Sequence, residues 1–451
     1  MLDAGNLLYK RANIQKGPSQ ESLTAEAIIE IYKQLRYDAV GVGPLDLAGS
    51  MDLLKNSTAT GFPWISANLA DDQDKPIFKQ WIERKVGDTE IYITALTAPP
   101  AKIPADIKIL KTETVLPKLL KKFKSAKQNP FIILLSTLSN DKNREIAEQY
   151  PAINLIIGAD RSKSNISPKI VNNCLITQTE RQGKYQGLLE IIFGTTRQWG
   201  KDSSKELADL QNKLGSMNWQ LRRLEKKSKL PGLGEKFKAT ILRLENEKEA
   251  MNKKIDSLKE IMQQEEISGA TNDQFIYRFI KLQKNMPKDQ QTVEKLNRLN
   301  NKIRKLHKSN SQLKQSSKLI KSMAGYSVCE TCHEAQFTFW KNSMHASAFM
   351  TLVDEKKQYN LDCLPCHLTI DASNTAFTIE TNKGYLSYPA KMQSVGCESC
   401  HGPGKNHSLA PDTVSMLRKP DKQTCLTCHT SEHDDNFNYD VKIQNISCPA
   451  S

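Results

Sequence analysis

The sequence predicts a multidomain chain: an α/β sandwich, then an α-helical coiled-coil segment, then a mainly α domain with little regular structure. Three observations predict this order. The 451 residues exceed what one compact domain usually holds. Short apolar runs give way near residue 202 to narrow apolar seams at helical spacing. Nine of the ten cysteines and seven of the eight histidines follow residue 323. We therefore place the domains at residues 1–198, 202–322 and 323–451.

Residues 1–198 alternate between strand-like and helix-like segments. Runs rich in apolar and β-branched residues predict strands at Tyr37–Val42, Phe62–Leu69, Ile91–Leu96, Phe131–Leu135, Ile153–Ile157 and Leu188–Phe193. Helical spacing of apolar residues predicts helices at Ser22–Leu35, Thr114–Phe123 and Asp141–Glu148. Such alternation is typical of a sheet with helices packed against it.

Residues 202–322 carry three narrow apolar seams with lysine and glutamate on the other faces, the pattern of a coiled coil. Pro231-Gly232 separates the first two seams, which predicts an antiparallel pair of helices. Residues 201–325 hold 28 Lys and Arg against 15 Asp and Glu, so they carry +13 of the chain's net charge of +14. We interpret the segment as a solvated spacer, with a docking surface for an acidic partner as the alternative. Because no nucleic-acid-binding motif occurs, we expect no nucleic acid as partner.

Four copies of the motif Cys-x-x-Cys-His occur in the last domain. They are Cys329-Glu-Thr-Cys332-His333, Cys363-Leu-Pro-Cys366-His367, Cys397-Glu-Ser-Cys400-His401 and Cys425-Leu-Thr-Cys428-His429. Two thiols at this spacing can form thioethers with the vinyl groups of one porphyrin, and the histidine then reaches the iron. Paired cysteines also bind zinc, but zinc does not require a histidine after each second cysteine. The motifs therefore predict four covalently bound haem c groups, each with one iron and a proximal histidine.

The remaining histidines are candidates for the second axial position of each iron. We expect His345, His407 and His433 to be distal ligands, because a histidine in so small a haem domain is more often a ligand than a surface residue. His307 lies on the basic helix, where we expect it to face solvent. Three irons would then have two histidines each. The fourth would be open or held by a methionine, a lysine or His307.

The haem-binding motifs and their surroundings resemble the multihaem cytochrome c-554 family. The resemblance covers about residues 323–440 and rests on the four motifs together with Trp340, Met344-His345-Ala346, Val395-Gly396, His407 and Phe437. It implies stacked haem pairs, electron transfer outside the cytoplasm and often one five-coordinate iron. The family often has a further histidine after its Phe-x-Tyr stretch. Here no histidine follows Phe437-Asn-Tyr439, which leaves the last distal ligand open.

Residues 1–198 resemble the catalytic domain of 5′-nucleotidases, which are calcineurin-like metallophosphoesterases. The matching stretches are Leu2-Asp-Ala-Gly-Asn6, Asp38-Ala-Val-Gly-Val-Gly43, Phe62-Pro-Trp-Ile-Ser-Ala-Asn68, Ile133-Leu-Leu-Ser136 and Ile156-Ile-Gly158. The family implies a pair of metal ions held by aspartates and histidines, yet no histidine precedes His307. The family's metal-binding motifs are replaced by Gly5-Asn6, Gly43-Pro44-Leu45-Asp46, Ser136-Thr137 and Ala159-Asp160-Arg161-Ser162. We therefore predict a pseudo-metallophosphoesterase in which Asp46 and Asp160 are ordinary loop acids.

These features favour an electron carrier that relays electrons between redox partner proteins. The alternatives are a redox enzyme that acts on a small nitrogen or sulfur compound at one open haem, a phosphoesterase coupled to a redox sensor, and a haem wire formed by self-assembly or within a larger cytochrome complex. Whether the chain is an enzyme stays open at this point.

We expect a periplasmic or extracellular location, because covalent attachment needs exported haem and the resemblance implies it. The sequence begins without the charged and apolar regions of a secretory signal, so we expect either that the start has been processed away or that an upstream piece is missing. No run of about 18 apolar residues occurs, and no transmembrane segment is expected.

Overall fold

The computed structural model describes most of the chain. The described residues are 1–14, 17–126, 129–200, 210–211, 213–218, 220–221, 224–225, 234–267, 271–283, 285–308, 321–370, 386, 388–430, 432–434 and 437–449. The chain divides into two compact units, one of residues 1–14 and 32–286 and the other of residues 15–31 and 287–451. Within the described residues, no helix is long and apolar enough to cross a membrane.

Short strands and three helices of ordinary length build most of the first unit. Its strands are β1 (Leu2–Asp3), β2 (Ala39–Gly41), β3 (Trp64–Ile65), β4 (Leu69–Ala70), β5 (Trp81–Val86), β6 (Thr89–Leu96), β7 (Lys108–Ile109), β8 (Phe131–Ser136), β9 (Leu155–Gly158), β10 (Ile166–Val171), β11 (Cys174–Gln178), β12 (Tyr185–Ile192) and β13 (Gln274–Lys281). Its helices are α2 (Met51–Ala59), α3 (Thr112–Ala126), α4 (Asn140–Gln149) and the long helix Gly234–Ile267. Helix α1 (Gln20–Leu35) begins in the second unit, and only its last residues belong to the first.

The central sheet of this unit has six strands in the order β10-β11-β9-β8-β6-β5. The four inner strands are parallel, and β10 and β5 pair antiparallel at the two edges. All six residues of β8 are buried, as expected for a parallel strand covered on both faces. Because side chains alternate along a strand, Ile132 packs toward Leu116 and Phe123 of α3, whereas Ile133 packs toward Ile65 and its neighbours on the opposite face. The result is a layered α/β sandwich.

A second, two-stranded sheet of β12 and β13 covers part of that opposite face. The strands pair antiparallel from Tyr185 opposite Lys281 to Ile192 opposite Gln274, and Phe275 and Tyr277 belong to the core cluster beneath them. The predicted helical segment 202–322 is therefore interrupted by β13, which the apolar seams did not reveal. The second apolar seam, which follows Pro231-Gly232, falls on the long helix Gly234–Ile267, whereas the Pro231-Gly232 turn itself lies outside the described residues.

Short helices joined by turns make up most of the second unit. They are Gln290–Lys308, Tyr326–Cys329, Glu334–Lys341, Ala348–Asp354, Leu364–His367, Cys397–His401, Lys405–Leu409, Lys422–Leu426 and Tyr439–Lys442. Their apolar core is small and centres on Leu352, Leu364 and Met392. His307 is 3% exposed and shares a buried helix face with Ile303. The expectation that His307 faces solvent is therefore wrong.

Candidate haem centres

Each Cys-x-x-Cys-His motif lies on or directly beside one short helical turn. The four helices concerned are Tyr326–Cys329, Leu364–His367, Cys397–His401 and Lys422–Leu426. In the first motif the backbone N–H of His333 donates to the Cys329 carbonyl at 2.9 Å, and in the fourth His429 donates to Cys425 at 2.9 Å. A helical turn brings residues i and i+4 to one face. The first cysteine and the histidine of these motifs therefore face the same side. We number the sites one to four in chain order.

Interactions between cysteines indicate which motifs are neighbours. The thiols of Cys329 and Cys397 are close enough to shift each other's pKa, lowering that of Cys329 and raising that of Cys397. The thiols of Cys366 and Cys428 interact in the same way, with the pKa of Cys366 lowered and that of Cys428 raised. Site one therefore lies beside site three, and site two beside site four. Cys400 is also close enough to Cys425 for their charges to interact, which connects the two pairs.

Two pairs of histidines face each other across the haem-binding region. The ring centroids of His333 and His407 are 6.3 Å apart with planes inclined at 25°. Those of His345 and His429 are 6.1 Å apart at 61°. An iron atom between two imidazoles, at metal–nitrogen distances of about 2 Å, needs ring centroids about 6 Å apart. Both separations therefore suit a six-coordinate haem iron, with His407 opposite the motif histidine of site one and His345 opposite that of site four.

Hydrogen bonds at Nδ1 leave the other ring nitrogen of several histidines available to a metal. Nδ1 of His407 lies 2.6 Å from the Val414 carbonyl, Nδ1 of His401 2.6 Å from that of Leu417, and Nδ1 of His367 2.7 Å from that of Ala348. A carbonyl oxygen only accepts, so Nδ1 is the donor in each case. Nε2 then carries the free lone pair that an axial ligand needs.

At site four the partner of Nδ1 is a carboxylate instead of a carbonyl. Nδ1 of His429 lies 3.0 Å from Oδ2 of Asp434. Phe437 stacks on the same imidazole with ring centroids 4.5 Å apart. Burial, together with the neighbouring His429, lowers the pKa of the opposing His345. A lower pKa favours the neutral ring that a metal ligand requires.

The surroundings of the histidine pairs suit a flat apolar group better than a zinc ion. Met344, next to His345, is 78% exposed, and Leu409, two residues after His407, is 76% exposed. Such side chains offer apolar surface on which a porphyrin can pack. Among the described residues, which include all four motifs, no group of three or more His, Cys, Asp or Glu side chains is arranged to hold a metal ion.

Glu398, inside the third motif, connects three segments of this region. It is 1% exposed. Its Oε1 accepts hydrogen bonds from the backbone of Ala324 at 2.8 Å and Gly404 at 2.7 Å, and its Oε2 accepts one from Gly325 at 2.8 Å. Gly325 directly precedes the helix of the first motif, and Gly404 precedes the helix that carries His407. One buried carboxylate thus positions both sides of site one.

The other predicted ligands are placed differently. His433 is exposed on the turn after the fourth motif, and its backbone N–H donates to Thr430. Within the described part of the chain, no histidine ring faces His367 or His401 as His407 faces His333. The structure thus brings together two of the three expected distal histidines with their proximal partners, and the assignment of His433 stays a prediction.

The acids that replace the phosphoesterase motifs in the first unit bind backbone amides. Asp46 is 1% exposed and accepts hydrogen bonds from the N–H groups of Asn6 at 2.9 Å, Leu8 at 2.8 Å and Gly43 at 2.8 Å. Burial raises the pKa of Asp46 to about 7. Asp160 accepts from the N–H of Asn140 at 2.9 Å, at the start of α4. Both acids therefore stabilise loops, as expected for loop acids. Asp46, however, is buried, whereas an ordinary loop acid is exposed to solvent.

Comparison with known proteins supports the resemblance at the C-terminal end. Residues 328–402 match the family model described as cytochrome c554 and c-prime. This region is similar to cytochrome c-554. Cytochrome c-554 of Nitrosomonas europaea is 36% identical over 97 residues, which cover 18% of this chain and 39% of that protein. The chain thus spans less than half the length of this relative. The resemblance predicted from the haem motifs is confirmed, and the family implies that haem c is the cofactor of this region.

Solved structures similar to this chain are phosphoesterases and related hydrolases. SoxB sulfate thiohydrolase of Thermus thermophilus has 18% identity and a TM-score of 0.37, covering 42% of this chain and 35% of that one. A 5′-nucleotidase precursor, also of Thermus thermophilus, has 21% identity and a TM-score of 0.37, covering 44% and 42%. The calcineurin-like phosphoesterase YfkN of Bacillus subtilis has 14% identity and a TM-score of 0.34, covering 42% and 69%.

Sequence reasoning missed the side chains that hold the ligands in place. Glu398 could have been singled out as an acid inside a haem motif, although Glu330 has the same position in the first motif and is exposed. Asp434 could have been suspected from its position five residues after His429. The carbonyls of Val414 and Leu417 carry no signal in the sequence, because every residue has a carbonyl group.

Proposed function

We propose that the chain is a tetrahaem c-type cytochrome that transfers electrons outside the cytoplasm, in the periplasm or at the cell exterior. The observation that carries the proposal is the pairing of His333 with His407 and of His345 with His429 at separations that suit one iron each. Iron with two histidine ligands has no free position for a substrate. Such sites exchange electrons without binding a reactant.

The neighbouring cysteines support a relay through all four haems. The interactions between Cys329 and Cys397, between Cys366 and Cys428, and between Cys400 and Cys425 support a proposal in which site one is beside site three, site two beside site four, and the two pairs adjoin. Haems attached at these cysteines would be close neighbours in the order one, three, four, two. Redox partner proteins would then deliver electrons at one end of this series and remove them at the other.

Intact mass and haem staining of the secreted chain test the haem number. We expect four haem masses above the mass of the polypeptide. Replacing both Cys363 and Cys366 by alanine should remove one haem, whereas Cys174→Ala, at a buried cysteine of the first unit, should remove none. A protein that carries zinc instead of haem, or fewer than four haems when matured with a complete haem-attachment system, would contradict the proposal. Cell fractionation tests the location.

A second candidate function is a redox enzyme that acts on a small nitrogen or sulfur compound at an open haem. It is favoured by His367 and His401, which face no histidine ring within the described part of the chain. An iron without a sixth protein ligand can bind a small molecule. High-spin optical and EPR signals that change on addition of nitric oxide or nitrite would support this function. A protein whose haems are all low-spin in both redox states would rule it out.

For the first unit we propose a role without phosphoester hydrolysis, as a scaffold or partner-binding domain. The support is chemical: Asp46 is engaged by three backbone amides, and the described residues offer no cluster able to hold two metal ions. Hydrolysis by a phosphoesterase needs such metal ions to activate water. Assays of the full chain with nucleotides and Mn²⁺, Mg²⁺ or Zn²⁺ should show no metal-dependent release of phosphate. Measurable release would contradict this proposal.

A further inference from the structure

The hydrogen-bond partners of the histidines differ in charge. His367, His401 and His407 each donate from Nδ1 to a neutral backbone carbonyl, at 2.6–2.7 Å. His429 donates to the carboxylate of Asp434 at 3.0 Å. Among these four histidines, only the ligand of site four therefore carries a charged partner.

The turn that follows the fourth motif holds this arrangement in place. The backbone N–H of Asp434 donates to Thr430 at 2.8 Å, and its carbonyl accepts from Phe437 at 3.1 Å. Phe437 stacks on the His429 ring at an interplanar angle of 19°. The same short turn thus supplies both the carboxylate at the edge of the imidazole and the aromatic ring on its face.

A carboxylate at Nδ1 changes what the imidazole gives to the iron. It draws the N–H proton toward itself, so the ring becomes more electron-rich and a stronger donor. Its negative charge also stabilises iron(III) relative to iron(II). Both effects lower the reduction potential, whereas a neutral carbonyl has a weaker effect. The Asp434 side chain is 34% exposed, so solvent screens part of its charge but not the hydrogen bond itself.

We propose that Asp434 sets the reduction potential of site four, making the iron between His429 and His345 harder to reduce than the iron between His333 and His407. The inference rests on the proposed electron-transfer function, which it deepens. At equilibrium an electron in the haem series would then favour the sites whose histidines have neutral partners over site four. Asp434 is a positioning and tuning residue and touches no iron itself.

The test is a potentiometric titration of the full haem-loaded chain, followed by optical and EPR spectra, in wild type and Asp434→Asn. The asparagine keeps an oxygen that can accept from His429 but removes the charge. We expect one haem to become easier to reduce by at least tenfold in its iron(III)/iron(II) equilibrium, about 59 mV for one electron. Its low-spin spectrum and the haem count should stay unchanged. Asp434→Glu, which keeps a carboxylate, should retain the low potential.

The matched control is Asp440→Asn, which removes one charge from an exposed position on the following helix. It should shift no haem by a comparable amount. The proposal is overturned if Asp434→Asn moves no potential, if Asp440→Asn produces the same shift, or if both Asp434 variants lose haem, which would indicate a structural role. A wild-type chain without four haems would instead overturn the proposed function, so the two failures are distinguishable by mass.

Discussion

The imidazole planes of His333 and His407 are inclined at only 25°, whereas those of His345 and His429 are inclined at 61°. In low-spin iron(III) haems the angle between the axial rings controls how far the iron d orbitals split. Near-parallel rings give a rhombic EPR signal, and strongly inclined rings give a more anisotropic signal with a larger maximum g value. Frozen-solution EPR of the oxidised chain should therefore show both kinds of low-spin signal. A spectrum in which all low-spin haems have one signal type would contradict the two ring geometries.

Removing a distal histidine should affect one haem only. In His407→Ala the iron of site one loses its second histidine, so we expect one of the four haems to become high-spin and to bind carbon monoxide after reduction. The rhombic EPR signal should disappear with it. The comparison is His433→Ala, which removes the third expected distal histidine, at an exposed position, and should leave site one and its rhombic signal intact. If His433→Ala instead produces the high-spin haem and His407→Ala does not, the assignment of site one is wrong.

The sequence predicted the first unit well because its pattern is local. The strands predicted at Ile91–Leu96 and Phe131–Leu135 are found at Thr89–Leu96 and Phe131–Ser136. The three helices predicted in residues 1–198 are also found, as α1, α3 and α4. The elements missed include helix α2 and strands β5, β7, β10, β11 and β13. Four of the six residues in β5 are exposed, so it lacks the apolar run of a buried strand. β13 pairs with β12, from which a long stretch of sequence separates it. A local sequence pattern cannot predict pairing between segments so far apart in the chain.

The candidate proximal histidines can be named from the sequence because the attachment chemistry requires a contiguous motif. The expected distal histidines can be named only as a set, since the placement of His407 opposite His333 depends on how the intervening turns fold. Glu398 and Asp434 were not predicted because their roles arise from three-dimensional contacts with backbone amides and with a ring nitrogen. The buried position of His307 was missed because the sequence of a basic helix with one buried face resembles that of a helix exposed to solvent on every side.

The pKa of Asp46 predicts a pH dependence of local stability in the first unit. Burial raises this pKa from 3.8 to about 7 in the folded chain. Between about pH 4 and pH 7 the unfolded segment therefore loses a proton that the folded one keeps, so the free energy of unfolding falls as pH rises through this window and is constant above it. At roughly 1.4 kcal/mol per pKa unit, the effect is at most a few kcal/mol. Hydrogen exchange at Asn6, Leu8 and Gly43, corrected for intrinsic rates, measures it.

Asp46→Asn should reduce this pH dependence because the amide does not titrate. It should not abolish it, since burial also raises the pKa of Asp3 in the same unit. The control is Asp160→Asn. Despite partial burial, hydrogen bonds from Asn140 and Ser162 hold the pKa of Asp160 below its ordinary value, so its removal should leave the window between about pH 4 and pH 7 unchanged. An Asp46→Asn chain with the wild-type profile would show that other groups are responsible.

Glu398 should stabilise site one far more than the equivalent acid of the first motif. Glu398→Ala leaves the buried N–H groups of Ala324, Gly325 and Gly404 without their acceptor, and each such loss costs about 1–3 kcal/mol. We expect the opening free energy of these amides, measured by hydrogen exchange, to fall by at least about 3 kcal/mol, together with partial loss of haem from site one. Glu330→Ala, at an exposed glutamate, should change stability by less than about 0.5 kcal/mol. If Glu398→Ala and Glu330→Ala lose equal stability, an acid at this motif position acts through its charge alone. If Glu398→Ala leaves the hydrogen-exchange protection of the three amides unchanged, Glu398 does not position site one.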